Sequence, residues 1–229
     1  MKVSRRKFLG AATGSAGALM SFGPLRWSVG GPQVGADCAL IGLPQCVLRE
    51  SLAGYQSALA EEHTFHSVTG IDLRSDWRIA IVPGLGQMDS VTAQRLSDLM
   101  YEGALVILES GGGFLSWAGF SAHQKMLDRY FGLAVEKPVE MWKADSSGHA
   151  RIPYVKYDWP RPAMVRDFSR VVPVSPDAGE VIGTVGDLPV AVKKREGKGT
   201  LIFLGSPLGP LLYAGDREAR SWFESIIVL

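Results

Sequence analysis

The sequence has few of the residues that most often build metal and nucleophilic sites. Its 229 residues include two cysteines and four histidines, so a metal centre built from these ligands is not expected. The 24 basic and 23 acidic residues nearly balance, whereas nucleic-acid binding usually needs a strong excess of positive charge. The weakly apolar run at residues 10–20 is too short and too rich in Gly, Ser and Thr for a membrane span.

The N-terminal segment has the features of an export signal. Ser4-Arg5-Arg6-Lys7-Phe8-Leu9 precedes the weakly apolar run at 10–20, and this order resembles a twin-arginine signal peptide. Cleavage after Val34-Gly35-Ala36 would leave Asp37 as the mature start. The alternative is an ordinary helix with a basic start. We expect residues 1–36 to be a signal peptide and the mature protein to be periplasmic or otherwise extracytoplasmic.

Removal of residues 1–36 changes the charge balance. Five basic residues and no acidic ones lie in this segment, so 19 basic and 23 acidic residues remain, a formal charge of −4. A mildly acidic surface argues against nucleic acid or an anionic membrane as the main partner. The remaining residues, 37–229, are enough for one domain with a sizeable core.

The two cysteines lie close together in the sequence. Cys38 and Cys46 flank residues 39–43, which are typical of a short buried strand. Such a strand would carry Cys46 beyond bridging distance unless the chain folds back at Leu43-Pro44. Pairing therefore stays open, although the expected compartment would preserve a disulfide.

Beyond residue 37, aliphatic and β-branched segments alternate with segments of helical period. This alternation predicts an α/β fold, a flavodoxin-like three-layer sandwich with a mostly parallel sheet and a C-terminal β-hairpin. Residues 140–167 are expected to be irregular, and Asp216 is expected to cap the closing helix. The predicted strands are 39–43, 64–68, 78–82, 104–108, 180–184, 189–194 and 201–204, and the predicted helices begin at 49, 89 or 90, 121 and 216.

Four segments in this order resemble one superfamily. They are Ile81-Val82-Pro83-Gly84, residues 99–107, residues 127–133 and residues 190–205. Together they are similar to the class I glutamine amidotransferase-like superfamily, above all its non-catalytic branches, such as the trimerisation domain of certain β-galactosidases and ThuA-like proteins. The resemblance covers roughly residues 39–227 and implies the same α/β fold.

The superfamily's nucleophile is absent at the matching position. Its catalytic members carry a cysteine on a tight turn after the strand that corresponds to residues 104–108. Aligning that Gly-x-Cys-x-Gly elbow with residues 107–111 puts Glu109 at the cysteine position. Cys38 and Cys46 are far from it along the chain, and no histidine follows His149. The resemblance therefore implies a scaffold without amidotransferase chemistry.

The expected ligand-binding residues follow strands at the edge where open α/β sheets usually bind ligands. Glu109 could act as a hydrogen-bonding group or general base and Ser110 as a polar contact, while the glycines let the backbone approach a ligand. The alternative is that the glycines only permit a turn and Glu109 caps a local segment. The candidates at this edge are Gly84, Glu109, Ser110, Gly111, Gly112 and Ser206.

Other catalytic arrangements have weaker support. Ser110 as a nucleophile would need a base, for which His123 is the nearest histidine in the sequence, but Ser110 lacks a Gly-x-Ser-x-Gly elbow. Glu109, Ser110 and His123 are therefore the candidate catalytic residues. His63 and His66 straddle a helix end and a strand start, so no metal site is predicted. No cofactor motif is found.

Aromatic residues concentrate between residues 142 and 159. Trp142 and Trp159 are candidates for a sugar-binding or partner-binding surface beside Glu109. The alternative is that they fix an irregular segment to the domain.

Three functions remain open. The leading hypothesis is a non-catalytic module that binds a carbohydrate, a cell-envelope ligand or a partner protein. The second is a saccharide or cell-envelope hydrolase that uses Glu109 as base with Ser110 or water. The third is a structural subunit that forms a homo-oligomer.

Overall fold

The protein is described by a computed structural model, which covers residues 38–46, 48–60, 65–114, 116–141, 153–167 and 170–228. All of them belong to the unit Gly35–Leu229. The expected signal peptide, Trp142, His63 and His149 lie outside the described residues. Among the described residues, no helix is both long and apolar enough to cross a membrane.

Strands and helices alternate through the first half of the chain, as expected. The elements are β1 (Cys38–Ile41), α1 (Arg49–Ala60), β2 (Phe65–Val68), β3 (Ile79–Leu85), α2 (Ser90–Glu102), β4 (Leu105–Ser110), α3 (Trp117–Phe131), β5 (Val139–Glu140), β6 (Tyr154–Tyr157), β7 (Ala163–Arg166), β8 (Arg170–Val171), β9 (Glu180–Val185), β10 (Leu188–Glu196), β11 (Gly199–Leu204), α4 (Gly209–Tyr213) and α5 (Arg217–Ile227).

The large sheet of the described residues has a parallel half and an antiparallel half. Its strand order is β2-β1-β3-β4-β11-β10-β9-β6-β7. The first five strands are parallel, while β10, β9, β6 and β7 each run antiparallel to the preceding neighbour. We call the edge at which the parallel strands end the carboxyl edge, and the opposite one the amino edge. This architecture confirms the predicted flavodoxin-like sandwich.

Helices cover both faces of the sheet because both faces of its central strands are apolar. One apolar cluster joins the sheet to α1, α4 and α5 and includes Tyr55 and Trp222. The other joins it to α2 and α3 and includes Leu96 and Leu127. β4 contributes to both clusters through alternate residues, as a strand buried on both faces must.

Several element boundaries follow local capping chemistry. Asp89 accepts hydrogen bonds from the N–H groups of Val91 (3.0 Å) and Thr92 (2.9 Å) at the start of α2. Asp216 accepts one from the Ala219 N–H at 2.9 Å, which confirms the predicted cap of α5. Both are ordinary N-cap contacts.

Two expectations about elements were wrong, and one short helix was missed. The third long helix begins near Trp117 rather than Ser121, because Ser116 caps it by accepting a hydrogen bond from the Gly119 N–H at 3.1 Å. The stretch expected to be irregular contains β6 and β7, which pair with each other. The short helix α4 was not predicted, and its start is essential to the site described next.

Candidate functional site

Glu109 lies at the carboxyl end of β4, in the interior of the domain. Its neighbour across the sheet is Leu204 of β11, and its side chain is 0 % exposed. On the other side of β4, the neighbouring strand β3 ends at the same edge of the sheet. The sequence predicted this location at the end of a central strand. The further prediction that Glu109 lies on a surface that contacts a ligand is wrong, because the side chain is buried.

Four donors surround the Glu109 carboxylate, two on each oxygen. Oε1 accepts hydrogen bonds from the Ser51 hydroxyl and from the Gly84 N–H at 3.2 Å. Oε2 accepts from the N–H groups of Leu208 at 3.0 Å and Gly209 at 2.8 Å. A carboxylate offers about four acceptor positions, so this group has no free position for a substrate proton.

Burial and hydrogen bonding act on the Glu109 pKa in opposite directions. Burial raises the pKa, because the charged form loses its hydration. The hydrogen bonds from Ser51, Gly209 and Gly84 lower it and stabilise the carboxylate. The buried Tyr55 hydroxyl is nearby but makes no hydrogen bond of normal geometry. In this arrangement Glu109 holds protein segments together, since its buried oxygens accept hydrogen bonds from Ser51, Gly84 and the start of α4.

Ser110 and His123 come together beneath the same edge. Ser110 Oγ lies 3.3 Å from His123 Nε2, and both side chains are fully buried. The Phe114 ring packs on the imidazole, with centroids 4.8 Å apart. The predicted proximity of these two residues is therefore found, but a substrate cannot reach them in this conformation.

The His123 imidazole is neutral near pH 7. Burial lowers its pKa from 6.5 to about 4, and the nearby Gly86 carbonyl opposes this effect only in part. Nδ1 is buried without a hydrogen bond of normal geometry. A serine–histidine pair usually has a third group that orients the imidazole, and among the described residues none bonds to Nδ1.

Gly84 and Gly112 lie at the carboxyl edge as predicted, but they are needed for backbone conformation and close packing. Gly84 has φ +54, and a Cβ there would lie 2.6 Å from Cys46 Sγ. Gly112 has φ +62, and a Cβ there would lie 2.6 Å from the Arg170 carbonyl oxygen. Side chains are strained at such φ values. Both positions need glycine because of internal packing.

The two remaining candidates at this edge are also engaged internally. The Gly111 N–H donates to the Leu85 carbonyl at 3.0 Å. The buried Ser206 hydroxyl donates to Asp167 Oδ1 at 2.7 Å. The structure therefore brings these candidates to one edge, while their polar atoms point to protein partners.

Cys46 lies at the carboxyl edge despite its distance from the elbow along the chain. Its thiol donates to the Leu48 carbonyl at 3.0 Å, and burial raises its pKa. Cys38 lies at the opposite end of β1, where burial raises its pKa to about 12. Both cysteines are free. Neither environment favours the reactive thiolate.

A small open pocket of about 450 Å³ lies above the buried pair. Its lining includes Gln45, Cys46, Gln87 and Phe114, but not Glu109, Ser110 or His123. The lining residues carry no charge. Sequence reasoning missed Gln45 and Gln87, which lie on loops after β1 and β3, since no motif marks them.

Trp159 lies at the amino edge, so it forms no common surface with Glu109. It follows β6, which runs opposite to β11 in the antiparallel half of the sheet and therefore ends at that edge. Its ring lines a pocket with Arg78 and Lys193. The expected single surface of Glu109 and Trp159 is wrong, because the sequence did not reveal the direction of β6.

The described residues contain no group of three or more His, Cys, Asp or Glu side chains suited to a metal ion. His66 instead packs edge-on against Trp77, with ring centroids 5.1 Å apart.

The fold is a flavodoxin-like α/β domain with a buried carboxylate at the carboxyl end of a central strand. No protein-family model matches the sequence, and no curated protein matches it. Solved structures do share the fold. Because the three examples that follow share only 10–15 % identity with this chain, this similarity shows the fold alone.

Several of these structures are glycosidases, and two serve as examples. The GH42 β-galactosidase Gan42B from G. stearothermophilus matches with a TM-score of 0.61 and 15 % identity, over 84 % of this chain and 30 % of that enzyme. The exo-β-1,4-mannosidase Op5Man5 from Opitutaceae bacterium strain TAV5 matches with a TM-score of 0.59 and 14 % identity. This match covers 85 % of this chain and 36 % of that enzyme. The chain thus spans about a third of these enzymes.

A third structure matches over nearly its whole length. The cytoplasmic protein STM1381 from Salmonella typhimurium LT2 has a TM-score of 0.60 and 10 % identity, over 84 % of this chain and 98 % of that one. The fold therefore occurs both inside large glycosidases and in a chain of similar size.

Proposed function

We propose that this chain is an exported, non-catalytic binding module of glutamine amidotransferase-like fold whose ligand is a carbohydrate. One observation carries the non-catalytic part of the proposal: the carboxylate at the nucleophile position is buried with all its acceptor positions occupied. A backbone N–H such as that of Gly84, which could stabilise an oxyanion in a hydrolytic site, is used by Glu109 instead.

The carbohydrate part of the proposal draws on the structural neighbours. Several of them are enzymes whose names identify sugar substrates: β-galactosidases, a mannosidase and an α-L-fucosidase. Domains of one fold often differ in function, so this support is an analogy. A protein-binding or homo-oligomeric assembly role is the other reading, and the experiment below separates the two.

Ligand-dependent unfolding tests the proposal. The purified full chain is heated with a panel of neutral and acidic oligosaccharides and cell-envelope fragments. A ligand at about 100 times its dissociation constant stabilises the folded state by roughly 2.7 kcal/mol, a shift of a few degrees. We expect at least one saccharide to raise the unfolding temperature. No shift across the panel, together with concentration-dependent oligomers in light scattering, would contradict carbohydrate binding and favour assembly.

A hydrolase is the second candidate, and the 3.3 Å contact between Ser110 and His123 favours it. The reaction would need Phe114 to move so that a substrate reaches the serine. A fluorophosphonate probe, which reacts with activated serines, tests this candidate. Labelling lost in Ser110→Ala and retained in Ser221→Ala, an exposed control position, would support hydrolysis. No labelling of the wild-type chain would contradict it.

A further inference from the structure

A large open pocket lies at the amino edge, opposite the elbow. It has a volume of about 870 Å³, which falls within the usual range of small-molecule sites, roughly 300–1,000 Å³. It forms where β3, β4 and β11 begin and where α5 ends, with Leu105, Gly199 and Val228 among its lining residues. Open α/β sheets usually bind at the other edge, but here Glu109 and its donors fill that edge.

Positive charge dominates this pocket. Arg78, Lys193, Arg195 and Lys198 line it, and no acidic residue does. The contrast with the surrounding domain is strong, because residues 37–229 together carry a formal charge of −4. Charge of one sign concentrated in a concave site attracts ligands of the opposite sign.

Three of these cations have no partner among the described residues. Arg78, Arg195 and Lys198 are exposed and make no ion pair or hydrogen bond with a described side chain or backbone group through their charged ends. Lys193 differs: its ammonium pairs with Glu180 at 2.8 Å and lies 4.4 Å from the centre of the Trp159 ring. The three unpaired cations are therefore available to an anion.

The frame that carries these cations is well packed. Arg195 and Lys198 flank the β10–β11 turn, and the Lys198 N–H donates to the Tyr101 carbonyl at 3.2 Å. Across the pocket, the Trp222 indole N–H donates to the Trp159 carbonyl at 3.0 Å. A fixed frame lowers the entropy cost of ordering a ligand.

The lining between the cations is apolar. Ile79, Leu105 and Ile227 contribute to it, and the first and last of these are largely buried. Charged groups around an apolar surface suit a ligand that has both anionic groups and C–H faces. Sugar rings carry such faces, and carboxylate or phosphate groups pair well with arginine.

We propose that the amino-edge pocket binds an acidic saccharide, whose carboxylate or phosphate groups contact Arg78, Arg195 and Lys198 while a sugar ring covers the apolar lining. The saccharide part of this proposal rests on the proposed carbohydrate function, whereas the anionic part rests on the charges of the pocket.

Titration calorimetry of the full chain tests the pocket with four probes. Trigalacturonate is an acidic sugar with carboxylate groups, and glucose 6-phosphate is an acidic sugar with a phosphate group. Galactotriose is the uncharged control for the sugar rings, and inorganic phosphate is the control for the anion without a sugar. We expect at least one acidic sugar to bind at least tenfold more tightly than both galactotriose and inorganic phosphate. No binding of either acidic sugar, or equal binding of inorganic phosphate, would overturn the proposal.

A matched pair of charge variants locates the binding. Arg195→Gln with Lys198→Gln removes two exposed charges from the pocket, and Lys125→Gln with Arg129→Gln removes two exposed charges from α3. We expect the first pair to weaken acidic-sugar binding at least tenfold and the second to change it less than twofold. Equal affinities in both pairs would overturn the assignment to this pocket. Cleavage of a probe, detected by mass in the same samples, would instead contradict the non-catalytic function.

Discussion

At the end of β4, one carboxylate satisfies donors from three other parts of the chain. The Leu208 and Gly209 N–H groups begin α4, and a helix start leaves such groups without partners inside the helix. Glu109 accepts from both, as well as from Ser51 of α1 and Gly84 of β3. A negative charge at a helix start is also electrostatically favourable. Glu109 therefore joins four elements.

Substitution of Glu109 by glutamine should destabilise the fold. The glutamine NH₂ group would replace one carboxylate oxygen, and it cannot accept the two hydrogen bonds that this oxygen accepts. Each buried donor left without an acceptor costs about 1–3 kcal/mol. We expect Glu109→Gln to lower the free energy of unfolding by roughly 2–4 kcal/mol, measured by urea denaturation. Glu102→Gln, at an exposed position, is the control and should change it little. Equal midpoints for the two variants would contradict the structural role of Glu109.

His123 should make stability depend on pH. Its folded pKa, about 4, lies below the ordinary 6.5, so the unfolded chain binds more protons between these values. Stability from this residue is therefore full above pH 6.5 and is lost as the pH falls to about 4. We expect urea unfolding of the wild type to lose stability more steeply over this range than His123→Gln. Parallel pH profiles would show that the imidazole is not buried as described.

At the scale of elements, α1 and α4 cross at two glycines. A Cβ at Gly54 would collide with the Gly209 carbonyl, and a Cβ at Gly209 would collide with the backbone of Ser51. This close approach brings Ser51 and the start of α4 to the same carboxylate. The geometry of the site thus depends on the helix crossing.

Alanine at position 54 should therefore be harmful, although alanine usually stabilises a helix relative to glycine by about 1 kcal/mol. Overpacking costs about 1–3 kcal/mol or more, and here backbone atoms would have to move. We expect a clearly lower unfolding temperature for Gly54→Ala. Gly119→Ala in α3, where a Cβ would meet only the Ser116 hydroxyl at 3.3 Å and the Gln87 amide at 3.8 Å, is the control. Similar temperatures for both variants would contradict the close crossing.

The sequence predicted those helices and strands whose local residue pattern is sufficient to indicate them. β4 is a continuous apolar strand, and α2 has Asp89 at its start and Gly103 at its end, so both were predicted. β6 and β7 were missed because prolines and aromatic residues obscure their alternation of buried and exposed positions. α4 is only five residues long, too short for a clear helical period.

Only the part of the candidate site that local sequence patterns indicate could be predicted. Glu109 and Ser110 directly follow the continuous apolar segment 104–108 and end β4, so their position at the carboxyl edge could be inferred. The donors Ser51, Leu208 and Gly209 are 58 to 100 residues away from Glu109 along the chain, and no local pattern encodes such contacts. Their absence from the prediction explains why Glu109 was expected to meet a ligand.

At the scale of the whole molecule, the sheet has two unlike edges. The carboxyl edge is filled by Glu109 and its donors, with a small uncharged pocket above. The amino edge has the larger, positively charged pocket, and Trp159 reaches it because β6 runs against the parallel strands. The internally bonded edge is thus distinct from the edge proposed to bind a ligand.

The proposed export route can be tested on the entire chain. Arg5→Lys with Arg6→Lys keeps the charge but removes the paired arginines that the export receptor reads. We expect the protein to remain in the cytoplasmic fraction of a bacterium with twin-arginine transport, as detected by fractionation. Lys2→Arg with Lys7→Arg is the control and should be exported. Unchanged export of the first variant would contradict the signal.

The central claim is that this domain binds a saccharide without cleaving it, and recovery of the ligand tests this most directly. The full chain is incubated for many hours with each saccharide that raises its unfolding temperature. The mass of the recovered sugar is then measured by mass spectrometry. We expect every bound saccharide to be recovered intact, from the wild type and from Ser110→Ala alike. Cleaved sugar from the wild type and intact sugar from Ser110→Ala would contradict it and identify the Ser110–His123 pair as catalytic.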